Sequence, residues 1–288
     1  MNAVYRREMR TFFRTPFGYL YLAVFTLIFG IYIAALNLGG DFYPDLEITL
    51  SSMVMLTMLF IPILTMRTFA EERKQKTDQL LYALPLKLPH VVMAKFLASF
   101  TLFCIPLGFA LLLPPLFSVF GHVAFLPAYH AIFGFALLGA ALIAIGNLIS
   151  SFTENQVVAA VVTFVLFLLM YLMNAFADKF PASPVASFVA FVALTMLILA
   201  VVYYMTRALY LCFFVGIAAE IALTLVFVFR SAAFTGAFAK LIGWLSVFDR
   251  FYSYANGILD LKAIVYYLSV TFLFLFFTVQ GMEKRRWA

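Results

Sequence analysis

The chain has 288 residues, of which 66% are hydrophobic and 11% charged, and its formal net charge is +6. A soluble domain is about 45–50% apolar, so this composition excludes a water-soluble globule and indicates an integral membrane protein. An excess of basic residues is typical of segments that lie beside anionic lipid, and we expect no nucleic-acid partner.

The N-terminal segment carries four basic residues, Arg6, Arg7, Arg10 and Arg14, before the first apolar run. A basic segment of this kind can be the start of a signal peptide. The apolar run that follows is longer than the about 7–15 residues of a signal-peptide core, so we expect it to be retained as the first span.

Charge-poor runs long enough to cross a membrane recur along the chain. A hydrocarbon core of about 30 Å requires roughly 20 helical residues. The predicted spans are Phe17–Leu38, Ile48–Met66, Phe96–Gly121, Ala131–Phe152, Val157–Ala177, Val185–Thr206, Ala208–Phe229 and Ala263–Met282. The predicted fold class is therefore all-α, a polytopic transmembrane helix bundle of about eight spans, or six with re-entrant segments, in a single domain over residues 1–288.

Lysine and arginine are distributed unevenly between the two sides of this topology. With the N-terminus inside, fourteen of them fall on the inner side and five on the outer side. Short loops rich in these residues stay in the cytoplasm. Both termini are therefore predicted to be cytoplasmic.

Segment 69–84, between the second and third predicted spans, is densely charged. Thr77, Leu80, Leu81 and Leu84 recur at helical spacing. In addition, an acidic residue, Glu72, precedes Lys76 by four positions, the favourable order for a helical ion pair. The pattern predicts one stiff cytoplasmic helix that ends before Pro85 and could transmit force to the spans. A solvated loop that only fixes the topology is the alternative.

The stretch ILTMRTFAEERKQKTDQLLYALPLKLPHVVMAKFLA follows the approximate pattern MR-x-x-A-E-E-[RK]-x-x-[GK]-T-x-[EQ]-L-L-x-x-x-P, with a lysine in the next span. The matching residues are Met66, Arg67, Ala70, Glu71, Glu72, Arg73, Thr77, Gln79, Leu80, Leu81, Pro85 and Lys95. With this pattern, and with its ending FDRFYSYANGILDLKAIVYYLSV and EKRRW, the chain resembles ABC-2 permeases of the gliding-motility type.

The resemblance implies the permease of an ATP-driven exporter in a bacterial plasma membrane. Such a permease pairs with a second permease, identical or homologous, and with two copies of a cytoplasmic ATPase. Segment 69–84 becomes a coupling helix, and the turn Ser150–Gln156 becomes a second ATPase contact. The ATPase-coupling residues are then Glu71, Glu72, Arg73, Lys74, Lys76, Thr77, Asp78, Gln79, Leu80, Leu81, Thr153, Glu154 and Asn155.

The resemblance also implies an N-terminal helix along the inner membrane face, and segment 1–15 suits it. Its apolar contacts would be Val4, Met9, Phe12 and Phe13. Its interface anchors at the lipid headgroups would be Arg6, Arg7, Arg10 and Arg14. A disordered basic tail is the alternative.

Nucleotide chemistry is expected on a separate chain. The sequence contains no G-x-x-x-x-G-K-[ST] phosphate loop, so ATP and magnesium are assigned to the partner ATPase. We expect no catalytic residue and no cofactor on this chain. The spacing of its histidines and cysteines predicts no metal site.

The remaining polar residues of interest lie in or near the spans. Glu220 and Asn147 form a possible intramembrane polar site, because a polar group inside the bilayer needs a partner or a wet cavity; Glu220 is interpreted either as functional or as a neutral packing residue. Segment 231–261 is predicted to be extracellular or re-entrant, and residues 283–288 a basic tail. Further interface anchors are Trp244, Lys284, Arg285, Arg286 and Trp287.

Two other functions remain open from the residues alone. A secondary transporter driven by an ion gradient would use an intramembrane charge such as Glu220. An intramembrane peptidase would use the paired carboxylates Glu71 and Glu72. The CAAX-type pattern, however, has an arginine where this chain has Lys76, and the candidate histidines fall on the other side of the membrane.

Overall fold

A computed structural model of the chain describes residues 1–38, 45–77, 87–206 and 209–286. Within these ranges the regular structure is helical, without a strand. The chain divides into two compact units, a larger one of Met1–Leu168 with Val247–Ala288 and a smaller one of Leu169–Ser246. The predicted all-α class is confirmed.

The helices follow one another through short connections. In chain order they are α1 (Asn2–Arg14), α2 (Pro16–Leu36), α3 (Leu46–Thr65), α4 (Ala70–Lys74), α5 (Leu88–Ala110), α6 (Leu113–Phe117), α7 (Phe125–Phe152), α8 (Gln156–Lys179), α9 (Pro184–Thr206), α10 (Leu209–Phe229), a 3₁₀ turn (Ser231–Phe234), α11 (Ala237–Leu245), α12 (Asp249–Ala255) and α13 (Leu261–Arg286).

Six helical stretches of the described residues are long and apolar enough to cross a membrane. They are Pro16–Leu36, Leu46–Lys74, Leu88–Phe117, Phe125–Phe152, Gln156–Met173 and Leu261–Arg285. A seventh is obtained if the pair Phe213–Phe229 and Ser231–Leu245, which bend by 111° at their break, counts as one span. The polytopic bundle is thus confirmed, with a number of spans closer to the six-span alternative than to eight.

The sequence predicts a helix start at Pro89, where the missing N–H of proline costs nothing, and α5 indeed starts at Leu88 with Pro89 in its first turn. The charge-free run predicted as the third span, Phe96–Gly121, begins only after Lys95, so it omits the first part of this helix. Lys95 lies inside the helix and is buried. The charge does not end the span because other charged side chains surround it, as described below.

Helix α7 is the most buried candidate span of the structure, and two glycines explain how closely its neighbours approach. A Cβ on Gly139 would lie 2.1 Å from Cε1 of Phe103 on α5, and one on Gly146 would lie 2.3 Å from Oγ1 of Thr65 on α3. Small residues at helix interfaces allow such approach in membrane bundles. The core of the larger unit therefore forms around α7.

Aromatic rings continue this core towards α12. The ring centroids of Phe103 and Phe135 are 5.8 Å apart, and those of Phe135 and Phe251 are 5.7 Å apart. Tyr267 on α13 donates its hydroxyl to the carbonyl of Val247 at 2.9 Å. The segment before the last span is thus packed into the larger unit from Val247 onward.

The smaller unit contains the hairpin of α9 and α10. Stacked rings of Phe188 and Phe227, with centroids 4.6 Å apart, join the two helices. Phe234 in the 3₁₀ turn meets both rings edge-on, and the N–H of Gly236 donates to the carbonyl of Ala182 at 3.1 Å. Residues 231–245 form the turn and α11, consistent with the short helices expected there.

Candidate functional site

The junction between α3 and α4 is fastened to α7 by one hydroxyl. Ser150 Oγ accepts hydrogen bonds from the backbone N–H groups of Phe69 and Ala70, at 3.2 Å each, and donates to the carbonyl of Met66 at 3.2 Å. Helix ends leave such backbone groups without intrahelical partners. Ser150 therefore fixes the point where α4 begins.

Asn147 joins the same two elements. Thr68 Oγ1 lies 2.9 Å from Asn147 Oδ1 and 2.7 Å from the carbonyl of Thr65, so a single hydroxyl proton faces two acceptors. Among the described residues no partner is present for Asn147 Nδ2. Turning the amide over lets Nδ2 donate to Thr68 Oγ1 and leaves the hydroxyl proton for Thr65. With either orientation Asn147 makes an interhelical hydrogen bond.

Arg67 and Glu71 form a two-pronged ion pair across the junction. Arg67 Nε and Nη2 donate to the two carboxylate oxygens of Glu71 at 2.7 and 2.8 Å. The guanidinium also lies over the ring of Phe17, 4.8 Å from its centroid. Parallel hydrogen bonds of this kind restrict both side chains more than a single contact does. The pair connects the end of α3 to the first turn of α4 and to the start of α2.

Four charged side chains from three helices meet beside this pair, and we call Arg7, Glu8, Glu72 and Lys95 the ion cluster. Lys95 Nζ lies 3.0 Å from Glu72 Oε2 and 3.1 Å from Glu8 Oε1, and it donates to the carbonyl of Thr68 at 2.7 Å. Arg7 bonds both Glu72 and Glu8, the latter at 2.9 Å. The ion cluster therefore holds α1, α4 and α5 together.

Burial makes this arrangement energetically demanding. The side chain of Lys95 is 1% exposed, and an unpaired buried charge is very costly. Two cations face two carboxylates, so the formal charge of the ion cluster is zero. Burial raises the pKa of Glu8, but the neighbouring Lys95 and Arg7 outweigh it and hold that pKa below its ordinary value. Glu8 is consequently charged at neutral pH.

Two arginines bind the C-terminal end of α7, where the second predicted ATPase-contact segment, Ser150–Gln156, begins. Arg73 donates to the carbonyl of Ser151 at 3.0 Å and to Glu154 at 3.1 Å. Arg285 on α13 donates to the carbonyls of Ser151 and Phe152, at 2.9 and 3.1 Å. These carbonyls belong to the last turn of α7, where basic groups are favourable. The α4 segment and the turn after α7 therefore form one continuous polar surface.

The turn that follows α7 is stabilised locally. The N–H of Asn155 donates to Thr153 Oγ1 at 3.1 Å, and the N–H of Val157 donates to Asn155 Oδ1 at 3.0 Å. Asparagine immediately before a helix commonly caps its first turn in this way. Thr153 and Asn155 thus shape the turn, and the side chain of Glu154, 68% exposed, projects from it.

The continuous helix predicted over 69–84 is wrong for its described part. Helix α4 ends at Lys74, and Lys76 has a φ of 56°, in the left-handed region that ends a helix. Glu72 pairs with the ion cluster and not with Lys76, because a local helical pair contributes only about 0.2–0.5 kcal/mol. Four predicted coupling residues lie outside the described residues: Asp78, Gln79, Leu80 and Leu81.

The other predicted coupling residues separate into an internal and an outward group. Glu71, Glu72 and Arg73 are engaged in the contacts above, and Thr77 Oγ1 donates to the carbonyl of Glu72 at 3.2 Å. Lys74 and Lys76 are exposed, as is Glu154. Among the described coupling residues, the charged side chains of this outward group are the ones accessible to another protein, and Glu154 also pairs with Arg73.

The predicted interface anchors also fall into two groups, those that are exposed and those that are bonded within the protein. Arg6, Arg10 and Arg14 are exposed on α1, whereas Arg7 turns into the ion cluster. Arg285 was expected at the headgroups, but it binds the end of α7, because the last carbonyls of that helix need donors. Lys284 and Trp244 are exposed. Arg286 is the last residue of α13, and Trp287 lies outside the described residues.

Glu220 belongs to a separate site within the smaller unit. Its carboxyl group bonds Thr195 Oγ1 on α9, and Thr195 Oγ1 also lies 2.8 Å from the carbonyl of Val192. A cavity of about 520 Å³, lined by apolar residues such as Met196, Phe213 and Ile217, adjoins the carboxyl group.

Sequence reasoning missed several residues that complete the site. Glu8 and Thr68 received no role, Ser150 was noted only as the first residue of the turn Ser150–Gln156, and Lys95 only as part of a pattern. Glu8 carried a usable signal, since it is the sole acidic residue among four arginines in segment 1–15. Ser150 carried none, because serine is common at any helix end. In the described ranges, no group of three or more His, Cys, Asp and Glu residues could hold a metal ion.

These features define a multi-spanning helical membrane protein with a charged junction fixed between its second, third and fourth spans. The family model for ABC-2 family transporter proteins matches residues 2–183, more than half of the chain, and the chain belongs to this family. The match includes the whole ion cluster and both predicted contact segments, and it ends before α9. No curated protein matches the chain.

Membership of this family identifies the chain as the membrane-spanning part of an ABC transporter, and the resemblance found in the sequence is confirmed. It is a multi-pass membrane protein, for which the bacterial plasma membrane is the usual setting. Association with an ABC ATPase is implied by the family.

Proposed function

We propose that the chain is the permease subunit of an ATP-driven exporter. In this proposal two copies of a separate cytoplasmic ATPase bind and hydrolyse ATP with magnesium, and a second permease, identical or homologous, completes the membrane pathway. The chain itself carries no catalytic residue. Its part is to convert movement of the ATPase into movement of the membrane helices.

The observation that best supports this proposal is the contact between the two segments that the family resemblance assigns to the ATPase. Arg73 on α4 and Glu154 in the turn after α7 are 3.1 Å apart, so an ATPase could engage both at once. The outward charges at this surface are Lys74, Lys76 and Glu154. Electrostatic complementarity at such a rim controls orientation and association rate more than affinity.

The internal contacts support a mechanical role. A force applied to α4 reaches α5 through Lys95, α1 through Arg7, and α7 through Ser150 and Arg73. Each of these contacts is a hydrogen bond or an ion pair, and Lys95 and Ser150 are buried. A solvated loop that only fixed the topology would not need them, which supports the coupling role over that alternative.

The cytoplasmic placement of this surface is part of the proposal. It follows from the fourteen-to-five distribution of lysine and arginine. Cysteines introduced at two exposed positions, Ala3 and Lys76, are expected to be protected from an impermeant thiol reagent added outside intact cells. A cysteine at Lys179 is expected to react. Labelling of the Lys76 position from outside would refute the orientation.

The two alternatives receive less support from the contacts. Both carboxylates required by a peptidase are already engaged, Glu71 with Arg67 and Glu72 with Lys95 and Arg7. For an ion-driven transporter, the candidate Glu220 bonds Thr195. In both cases the carboxylates have protein partners. None is left free to bind the metal ion of a peptidase or the driving ion of a secondary transporter.

Co-purification tests the proposal directly. The full-length chain, tagged and extracted from its native membrane in mild detergent, is expected to retain an ABC-type ATPase in a one-to-one ratio. Lys74→Glu with Lys76→Glu should weaken this association, since both side chains are exposed and make no contact that the described structure requires.

The matched control reverses two exposed lysines elsewhere, Lys240→Glu with Lys262→Glu, and should retain the ATPase. Permease that is folded and monodisperse but carries no ATPase from any native extract would overturn the proposed function. If both double variants retain the ATPase equally, segment 70–77 is not part of the ATPase contact.

A further inference from the structure

The C-terminal end of α13 is fastened to the last turn of α7. Arg285 donates to the carbonyls of Ser151 and Phe152 at 2.9 and 3.1 Å, and its guanidinium carbon lies 5.8 Å from the centroid of the Phe152 ring. One turn earlier, an added Cβ on Gly281 would lie 3.4 Å from the same ring, so the two helices approach closely here. The end of the last span is therefore held beside the turn that follows α7.

This end of α13 also meets the α4 segment. The carbonyl oxygen of Ser151 accepts one hydrogen bond from Arg73 at 3.0 Å and another from Arg285 at 2.9 Å. Two donor nitrogens on one oxygen cannot lie more than about 6 Å apart. The end of α13 is thus contiguous with the surface that α4 and the turn after α7 form, the surface assigned above to the ATPase.

Among the described residues, the accessible charge of this extended surface is mainly basic. The exposed Glu154 is already paired with Arg73, and Glu283 is partly buried. Three lysines are exposed, and within the described ranges none of their amino groups makes a hydrogen bond or an ion pair. These lysines are Lys74, Lys76 and Lys284. Such a surface is complementary to an acidic partner.

We propose that the end of α13 is a third contact of the ATPase, and that the ATPase presents aspartate or glutamate side chains to Lys284 and to the two lysines of α4. The inference rests on the proposed function and adds to it the chemistry of the partner's surface. Arg285 is a positioning residue, because its bonds to α7 hold Lys284 beside α4. The last span then receives movement of the ATPase directly, and not only through α4 and α7.

The contacts of Arg285 favour an acidic protein over lipid headgroups at this place. A basic side chain at the end of a span ordinarily extends to the headgroups. Arg285 instead turns towards α7, close to the pair of Arg73 and Glu154 that joins the two proposed ATPase contacts. A partner that engages this pair is therefore near enough to reach Lys284 as well.

Binding of the ATPase to the complete permease provides the first test. Full-length permease in nanodiscs of neutral phosphatidylcholine is titrated with the co-purified ATPase, and the association rate and dissociation constant are measured at several salt concentrations. An exposed charge pair contributes up to about fivefold in binding. Lys284→Gln should therefore weaken binding about twofold to fivefold, with an association rate less sensitive to salt. Lys284→Glu, which adds repulsion, should weaken it about tenfold.

The matched control lies on the same helix. Lys262→Glu reverses another exposed lysine, near the other end of α13, and should bind the ATPase like the parent. Lys284→Arg keeps the charge and should also bind like the parent. If Lys262→Glu weakens binding as much as Lys284→Glu does, the effect is one of net charge and the proposal fails. Parent-like binding by Lys284→Glu overturns it as well.

Protection from labelling separates the ATPase from lipid. In a Cys104→Ala/Cys212→Ala background, Lys284→Cys should react with a soluble thiol reagent in permease nanodiscs and lose most of this reactivity in the complex with the ATPase. Lys262→Cys should react equally in both. If Lys284→Cys is shielded without the ATPase it lies in lipid, and if it reacts equally in both it lies outside the contact; either result overturns the proposal. A parent permease that binds no ATPase contradicts the proposed function itself, and this inference with it.

Discussion

Lys95 and Glu72 form an ion pair of 3.0 Å between α5 and α4, at a place where the lysine is almost completely buried. The lysine amino group also bonds Glu8 and the carbonyl of Thr68. Removing this cation leaves two largely buried carboxylates that share one partly exposed cation, Arg7. The stability of the junction should therefore depend on this one residue more than on any exposed charge of α4.

Lys95→Met is expected to destabilise the protein by about 3–5 kcal/mol, the usual cost of breaking a buried ion pair. Thermal unfolding in detergent, followed by the retention of monodisperse protein, provides the measurement. Adding Glu8→Gln should recover part of the loss. The exposed Lys87 at the start of α5 is the control, and Lys87→Met with an equal loss would contradict the role of the ion cluster.

Arg73 and Glu154 should respond unequally to charge reversal. Glu154→Arg removes a largely exposed ion pair, worth about 0–1 kcal/mol. Arg73→Glu loses that pair and also the hydrogen bond to the carbonyl of Ser151, so it should cost more. The double reversal restores the pair but not the carbonyl bond. Full recovery in the double variant would show that the Ser151 contact is unimportant.

Gly139→Ala should destabilise α7, since the added Cβ would lie 2.1 Å from the ring of Phe103. Overpacking of this kind costs about 1–3 kcal/mol. Gly30→Ala and Gly108→Ala are controls in α2 and α5, where no heavy atom lies within 4 Å of the added Cβ. These helical positions should gain about 0.5–1 kcal/mol. The unfolding temperature should fall for the first variant alone.

The ion pairs of Glu8 should make the stability of the folded protein depend on pH. Its pKa is lower in the folded protein than in the unfolded chain, so its contribution is fully present above the unfolded value, about 4.3. That contribution is lost as the pH falls through the lower, folded value. The stability difference between the parent and Glu8→Gln should stay constant from pH 8 to about pH 5 and shrink below about pH 4. A difference that grows on acidification would contradict this sign.

Glu220→Gln should leave ATP-coupled activity and stability largely unchanged. Glutamine has nearly the same shape, and its amide oxygen can still accept the hydrogen bond from Thr195 Oγ1. Substrate-stimulated hydrolysis by the purified complex, compared at equal expression, is the measurement. Loss of stimulation in a well-assembled complex would make the carboxyl group functional in its own right.

Much of the fold was predictable because the membrane imposes one rule on every span. Long apolar runs predicted α2, α3, α7 and α13 closely, since backbone groups in lipid must pair within a helix. The extent of α5 was predicted less well, because Lys95 looked like a boundary when read alone. Its burial depends on Glu8, which lies 87 positions away in the chain.

The candidate site was predictable in its segments and not in its contacts. The resemblance located residues 71–77 and 153–155, and the structure brings both to the end of α7. The local spacing predicts an ion pair between Glu72 and Lys76. In the structure Glu72 pairs instead with Lys95, which is buried and distant in the sequence. Contacts of this kind require the packing of α1 on α5, for which the sequence carries no pairwise signal.

Helix α7 has fixed contacts at both of its ends. At one end Ser150 holds the start of α4. Near the other end the imidazole Nδ1 of His130 lies 3.1 Å from the carbonyl of Gly257, and Gly134 packs against the ring of Tyr254. A helix of 28 residues is about 42 Å long and hardly changes its length. If a movement of α4 shifts α7 along its axis by the rise of one residue, about 1.5 Å, the rigid helix carries its α12 end by the same distance.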